Sequence, residues 1–380
     1  MKVLNVTASM DPVTGGGVAE RTLQITRAMN RLGAKAGILT TDLGLSAEYL
    51  RKWNDIEITT LPCLVKRFYF PGFSYRRVKE LVAASDIVNI MGYWTVINVL
   101  AYYAAKDAGK PYTVCPAGAL PIYGRSKLIK RLYNLAVGRK MISEADMCVA
   151  VSKNEFIQFK DYGVNVEKIL LIPNGVNHED FIKAEISDFR KKYSLGQFPF
   201  LLFVGRLNFI KGPDILLKAF VAIKDNFPDY HLVFAGPDGG MLHNLKDMSS
   251  EAHLNERVHF IGHIEGEDKS AAYHAAELLV IPSRQEAMSI VVLEAGICGT
   301  PVLLTDQCGF DEVATVEGGI VIPASVEGIS NGIKAALLNR GNLKKMGLLL
   351  LKYVQAGFTW RIAAEKYLQA SGALINNRKA

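Results

Sequence analysis

Apolar residues in this chain fall into short unbroken runs rather than strict alternation. In the first half the runs cover residues 2–8, 34–41, 56–61, 87–91, 112–115, 147–151 and 169–172. Between them lie stretches of helical character, including residues 18–32, 126–145 and 153–162. The pattern then restarts, with runs at 199–204, 231–235, 258–261, 278–282, 301–305 and 319–322. A helix is expected from about Pro213. Short continuous apolar runs separated by helices are the mark of strands buried on both faces of a parallel sheet, built from βαβ units. Two such series predict an α/β protein with two Rossmann-like domains facing across a cleft. Residues 174 to about 195, rich in Pro, Gly, Asn and charge, are the expected hinge territory.

Length agrees with this division, since 380 residues suit about two domains. Residues 87–105 carry no charge and approach the length of a membrane span. Asn89, Gly92 and Asn98 within them favour a buried strand followed by a helix. The start of the chain lacks the shape of a signal peptide. The five cysteines, Cys63, Cys115, Cys148, Cys298 and Cys308, are scattered and form no C-x-x-C pair. They point to a reduced, cytoplasmic setting with no disulfide framework or metal knuckle.

Charge is uneven. Residues 1–175 hold 23 Lys and Arg against 14 Asp and Glu, a net +9. The remainder holds 21 against 23, a net −2. The positive charge gathers at Lys66-Arg67, Arg76-Arg77 and residues 125–140, among Phe68, Tyr69, Phe70, Phe73, Tyr75, Tyr123 and Tyr133. Basic residues interleaved with aromatics suit an anionic membrane surface or a phosphate-bearing acceptor. A solvated helix face and a nucleic-acid surface are the other readings, and no nucleic-acid motif accompanies the charge.

Candidate chemistry lies at strand ends. Glu286 and Glu294, spaced Glu-x7-Glu, follow the run at 278–282. A helix there would hold two carboxylates on roughly one side, beside a helix N-terminus that favours phosphate. Gly205-Arg206-Leu207-Asn208-Phe209-Ile210-Lys211-Gly212 follows the first run of the second half. Its Arg206 offers a planar fork of donors to phosphate and its Lys211 a compact charge. Gly15-Gly16-Gly17 allows a close backbone approach before a helix, though without the dinucleotide pattern G-x-G-x-x-G. Gly236-Pro237 and Gly262-His263-Ile264 end two further strands, where backbone groups could read a nucleobase edge. No D-x-D occurs to hold a divalent ion. All seven histidines lie after residue 175, so the first domain has no imidazole base.

Together these residues resemble the retaining glycosyltransferases of family 4, which have the GT-B fold and include enzymes of surface-polysaccharide and lipid-linked oligosaccharide assembly. The matches are Gly15-Gly16-Gly17, Asn174-Gly175-Val176-Asn177, Gly205-Arg206-Leu207 with Lys211-Gly212, and Gly236-Pro237. They continue through Glu286-x7-Glu294, Cys298-Gly299-Thr300-Pro301-Val302 and Phe358-Thr359-Trp360. The resemblance implies an acceptor domain over residues 1–175, a nucleotide-sugar domain over 176–359, and a final helix over 360–380 that returns to the first domain. It implies Glu286, Arg206 and Lys211 as the catalytic set. Gly16, Gly17, Gly236, His263, Ile264, Met288, Ser289, Ile290 and Glu294 join them in holding the donor. In that scheme Glu294 meets the ribose hydroxyls, Glu286 the sugar, and the Met288 and Ser289 amides lie near the phosphates. Gly118 and Tyr93 fall on the acceptor side. The chain departs from the family in lacking the first-domain histidine of many members, and Met288 could narrow the sugar pocket. The expected reaction is metal-independent transfer, with retention, from a nucleotide-diphosphate sugar to a saccharide hydroxyl. No cofactor is expected, and peripheral membrane contact through the basic first domain is. A sugar-nucleotide epimerase of the same fold and a non-catalytic binding subunit are the competing readings.

Overall fold

In a computed structural model the described residues are 1–11, 15–72, 74–122, 126–182 and 185–379. Phe73, Tyr123 and Arg125, three members of the expected basic and aromatic cluster, lie outside them. The chain divides into two compact units: Met1–Gly175 with Trp360–Ala380, and Val176–Thr359.

The first unit is built on seven parallel strands. They are β1 (Lys2–Val6), β2 (Lys35–Thr41), β3 (Glu57–Leu61), β4 (Ile87–Met91), β5 (Tyr112–Cys115), β6 (Met147–Ala150) and β7 (Ile169–Leu171). Their order in the sheet is β3-β2-β1-β4-β5-β6-β7. The second unit has six: β8 (Phe200–Val204), β9 (His231–Ala235), β10 (Val258–Gly262), β11 (Leu278–Ile281), β12 (Val302–Thr305) and β13 (Gly319–Ile322). Their order is β10-β9-β8-β11-β12-β13. Each sheet reverses its winding beside its own first strand, at β1/β4 and at β8/β11. Such a switch point opens a crevice at the strands' carboxyl ends.

The apolar runs form strands because helices cover both faces of each sheet. Val88, Ile90, Val114 and Cys148 are fully buried in the first core, as are Leu201, Leu232, Phe234, Leu278 and Leu303 in the second. Burying one such side chain contributes about 1.5–3 kcal/mol. Asn89, at the centre of the uncharged stretch 87–105, is buried but satisfied. It donates to Asn5 at 2.8 Å and accepts from Thr113 at 2.8 Å, while Asn5 donates to Thr26. That stretch is strand β4 and the helix Val96–Asp107. Among the described residues no helix is long and apolar enough to cross a membrane.

Two expectations shift. The helix expected over 126–145 is three pieces: Lys127–Tyr133, a π-helical turn Asn134–Gly138, and Arg139–Ser143. The interruption falls where Gly138 packs against the Tyr93 hydroxyl, too close for any side chain at that position. The hinge is narrower than 174–195. Phe181, Phe189 and Leu195 are buried within the second unit, so the chain passes from one unit to the other at Gly175–Val176. It returns at Thr359–Trp360, and the final helix Trp360–Lys379 belongs to the first unit. There Tyr367 is buried, with the Arg21 guanidinium 5.8 Å from its ring centre.

Candidate active site

The second sheet's switch point gathers the charged residues singled out in the sequence. Strand β8 runs into Gly205, whose amide donates to the Ala235 carbonyl at 2.9 Å. Gly236 at the end of β9 packs so tightly on the Gly205 carbonyl that a side chain there would collide with it. Its amide bonds the Gly262 carbonyl at 2.7 Å. Three strand ends are thereby knitted through glycine backbone. His263 is exposed beyond them and Ile264 is buried. The stem of Arg206 lies over Gly239, which has no side chain to displace it.

Lys211 is placed by the residue after it. Gly212 has φ +68° and sits against the Pro282 carbonyl, where a side chain would collide. Pro213 then opens the helix Pro213–Ile223, with its fixed φ suited to the first turn. Arg284 closes this loop onto the next. It forms a two-pronged pair with Asp214 at 2.8 and 2.7 Å, donates to the Phe209 carbonyl at 2.6 Å and lies 4.0 Å over the Phe209 ring. Burial opposes ionisation of Asp214, but the Arg284 guanidinium outweighs it and holds that carboxyl below its ordinary range.

Lys211 Nζ is thus 2.9 Å from Glu286 Oε1. The same oxygen accepts a short hydrogen bond from Ser283. The Glu286 amide donates to the Gln307 carbonyl at 2.8 Å, and Gly309 packs against the Ala287 carbonyl with no room for a side chain. Glu286 is therefore fixed from behind by the loop after β12.

Glu286 and Glu294 do not share a helix, contrary to the expectation from their spacing. The helix is Ile290–Ile297, with Ser289 as its N-cap, so Glu286 stands on the loop before it. Ser289 is 1% exposed, and its hydroxyl has no hydrogen-bond partner among the described residues. Met288 is also buried. A buried hydroxyl beside open helix amides is a fitting place for an anionic oxygen.

Glu294 is buried and has partners of its own. Lys269 donates to Oε1 and Tyr273 to Oε2, each at 2.6 Å. Burial, and then the neighbouring carboxylate, push the Tyr273 hydroxyl well above its ordinary pKa, so it stays a donor. Each carboxylate oxygen has a second lone pair, so Glu294 keeps capacity for ligand hydroxyls. Lys269, Tyr273, Ser283, Arg284 and Asp214 were not singled out in the sequence. The only local signal was the four-residue spacing of Lys269 and Tyr273, which puts both on one face of the helix Gly266–Ala275.

The first unit's strand ends differ. Gly15 donates its amide to the Asp11 carbonyl at 2.8 Å, and Gly16 (φ +61°) and Gly17 begin the helix Gly16–Arg31, both exposed. Gly118 (φ +86°) gives its amide to Glu155 at 2.6 Å. Glu155 is buried and also accepts from the Val151 amide at 2.6 Å. Burial raises its pKa, against the pull of those amides. Tyr93 is a correction. It is 2% exposed and donates to Asn134 at 2.7 Å, so its side chain is a core group rather than one offered to a ligand. Trp94 beside it is half-buried, with Lys130 Nζ 5.3 Å from its ring centre. Burial lowers the pKa of Lys130.

Among the described residues no three His, Cys, Asp or Glu side chains gather as metal ligands would. Two doubly wound parallel sheets, with the chain's last helix returned to the first unit, are the GT-B architecture. Residues 15–180 match the family model described as Glycosyltransferase Family 4, and residues 185–347 the model described as Glycosyl transferases group 1. The chain belongs to glycosyltransferase family 4. The D-inositol 3-phosphate glycosyltransferase of Nocardia farcinica is 29% identical over 248 residues, covering 62% of this chain and 54% of that protein. The chain spans about half the length of such curated relatives. The fold is similar to Anabaena HepE, solved with UDP and glucose (TM-score 0.81, 19% identity, 97% of this chain and 99% of that one). It is also similar to WaaG, a glycosyltransferase involved in lipopolysaccharide biosynthesis (TM-score 0.72, 19% identity, 98% and 99%).

Proposed function

We propose that this chain transfers a sugar, with retention and without a metal, from a nucleotide-diphosphate donor to a hydroxyl of a saccharide acceptor. The observation that carries the reading is the pairing of Lys211 with Glu286 at 2.9 Å, just before a helix N-cap, Ser289, whose hydroxyl is unpartnered among the described residues, with Arg206 at the end of the adjacent strand β8. That group has cations for a leaving diphosphate and a carboxylate for sugar hydroxyls. A solved neighbour of the same fold was captured with UDP-glucose, which makes a uridine donor the first to try. The curated relatives' name, D-inositol 3-phosphate glycosyltransferase, makes a phosphorylated cyclitol an acceptor to test beside lipid-linked saccharides.

Departure of the nucleotide leaves a second negative charge on the β-phosphate. Arg206 and Lys211 would stabilise that charge as it develops, which is where electrostatic catalysis has its largest effect. On donor binding Lys211 would exchange Glu286 for phosphate, leaving Oε2 and the remaining lone pair of the Ser283-bound Oε1 for the sugar. Glu294, held by Lys269 and Tyr273, would meet the ribose. With no imidazole in the first unit, the diphosphate itself would take the acceptor's proton.

Turnover of Glu286→Ala and Arg206→Ala tests this. Each should fall by on the order of 10²-fold or more, and activity should survive a chelator. Near wild-type rates in both variants would sink the transferase assignment. Isomerised donor formed without any acceptor would instead identify an epimerase.

A further inference from the structure

Two buried or half-buried ion pairs of the second unit are built differently. In the Asp214–Arg284 pair one guanidinium matches both carboxylate oxygens and also donates to the Phe209 carbonyl. That pair closes one loop onto another. Around Glu294 the two oxygens are held by separate donors, Lys269 on Oε1 and Tyr273 on Oε2. Desolvation of a buried charge pair offsets most of its attraction, so apolar side chains of the same size would serve stability as well. The Glu294 arrangement is therefore better explained by what it leaves open.

The helix Gly266–Ala275, which carries both donors, is anchored on two sides. Ser270 Oγ donates to the Ile182 carbonyl at 2.7 Å, and Thr300 Oγ1 donates to the Tyr273 carbonyl at 2.8 Å. The Phe181 ring centre lies 6.0 Å from the Lys269 ammonium and 6.0 Å from the Tyr273 ring centre, so one aromatic backs both donors. The Glu294 side chain is 7% exposed and that of Lys269 27%. The pair is thus closed on the protein side and open at its lysine. An ammonium can only donate, and burial keeps the Tyr273 hydroxyl protonated. What remains at Glu294 is one acceptor position on each of two neighbouring oxygens, which is complementary to two adjacent hydroxyls.

We propose that Lys269 and Tyr273 are positioning residues for Glu294, turning its remaining lone pairs toward the vicinal hydroxyls of a ribose and so making the site select ribonucleotides over 2′-deoxyribonucleotides. The inference rests on the reading of Glu294 as the ribose contact of a nucleotide-sugar donor. It goes further in assigning the choice of pentose to two residues that act through that carboxylate.

Equilibrium titration of the full chain with UDP, GDP and ADP, and with their 2′-deoxy forms, is the test. The wild type should bind its preferred ribonucleotide at least about ten-fold more tightly than the 2′-deoxy form, the size of one hydrogen bond to a charged group. Lys269→Met keeps the stem without the charge. It should bind the ribonucleotide about ten-fold more weakly and the 2′-deoxy form nearly as before, so the preference collapses. Lys269→Arg should restore it. Tyr273→Phe keeps the ring, loses the Oε2 donor and should narrow the preference in the same direction, which decides the matter if Lys269→Met does not fold. A merely structural role would weaken both nucleotide forms alike. Wild-type ratios in Lys269→Met and Tyr273→Phe would overturn the proposal and leave the donor reading standing. Equal wild-type affinity for the ribo and 2′-deoxy forms would overturn it by removing the ribose from Glu294. If none of the three ribonucleotides binds the wild type, the donor reading fails and the proposal with it.

Discussion

The two units share a topology and differ in what their switch points carry. Around β8 and β11 the side chains are ionic: Arg206, Lys211, Glu286 and, one helix on, Glu294 with Lys269. Around β1 and β4 they are mostly neutral: Tyr93, Trp94, Tyr133, Tyr162 and Asn134 are joined edge to face and by hydrogen bonds, with Lys130 and Arg139 over the Trp94 and Tyr162 rings. Among the described residues the buried carboxylate there is Glu155, and it is used up on backbone amides. A parallel sheet supplies the same crevice either way. Fixed ionic partners suit a diphosphate, whose charge is the same in every donor. Neutral aromatic surfaces suit saccharides, which vary from one family member to the next.

The strongest way to break this contrast is to unseat the ionic group without removing a charge. Gly212→Ala should drive a side chain into the Pro282 carbonyl at a positive φ. The expected loss is about 4 kcal/mol of unfolding free energy, with donor binding lost as Lys211 moves. Chemical denaturation and donor titration check it, and unaltered donor affinity would mean Lys211 is not placed by that turn. Next comes Glu155→Ala, which leaves two buried amides without acceptors. It should cost about 2–4 kcal/mol yet leave donor affinity unchanged. A weakened donor complex would erase the division of labour between the units.

Tyr93→Phe is the sharper probe of the neutral side. Losing one hydrogen bond to Asn134 should cost about 1 kcal/mol, and acceptor KM should not change if Tyr93 is purely internal. The smallest effect expected is acidic. Burial and the neighbouring His259 lower the His231 pKa to about 4. The unfolded chain therefore binds this proton first on acidification, so stability is full above the ordinary value and declines as pH falls from about 7 towards 4. Allowing for solvent access, the loss by pH 5 is on the order of 1 kcal/mol. His231→Phe should flatten that slope in thermal melts.

The fold was legible because its strands are buried on both faces and must be apolar throughout. Every run from β1 to β13 could be read that way, with ends off by a residue or two. The candidate site was legible where its geometry rests on backbone punctuation, as at Gly205 and Gly212. Spacing failed for Glu286, since the loop Ala287-Met288-Ser289 delays the helix to Ile290. The Lys269–Glu294 and Asp214–Arg284 pairs join residues 25 and 70 positions apart, beyond any local period. The family resemblance put Tyr93 on the acceptor side, and in sequence an aromatic at a strand end looks the same whether it faces ligand or core.

The return of the last helix to the first unit sets an order of assembly. The second unit is an insertion, and its two ends are adjacent, with Val176 paired to Thr359. As the chain leaves the ribosome, residues 176–359 emerge before Trp360–Lys379, so the second unit can fold without the segment that brings Tyr367 beside Arg21. Chains ending at residue 359 and held on the ribosome by a linker long enough to clear the exit tunnel should already bind nucleotide sugar, with the first unit still open to proteases.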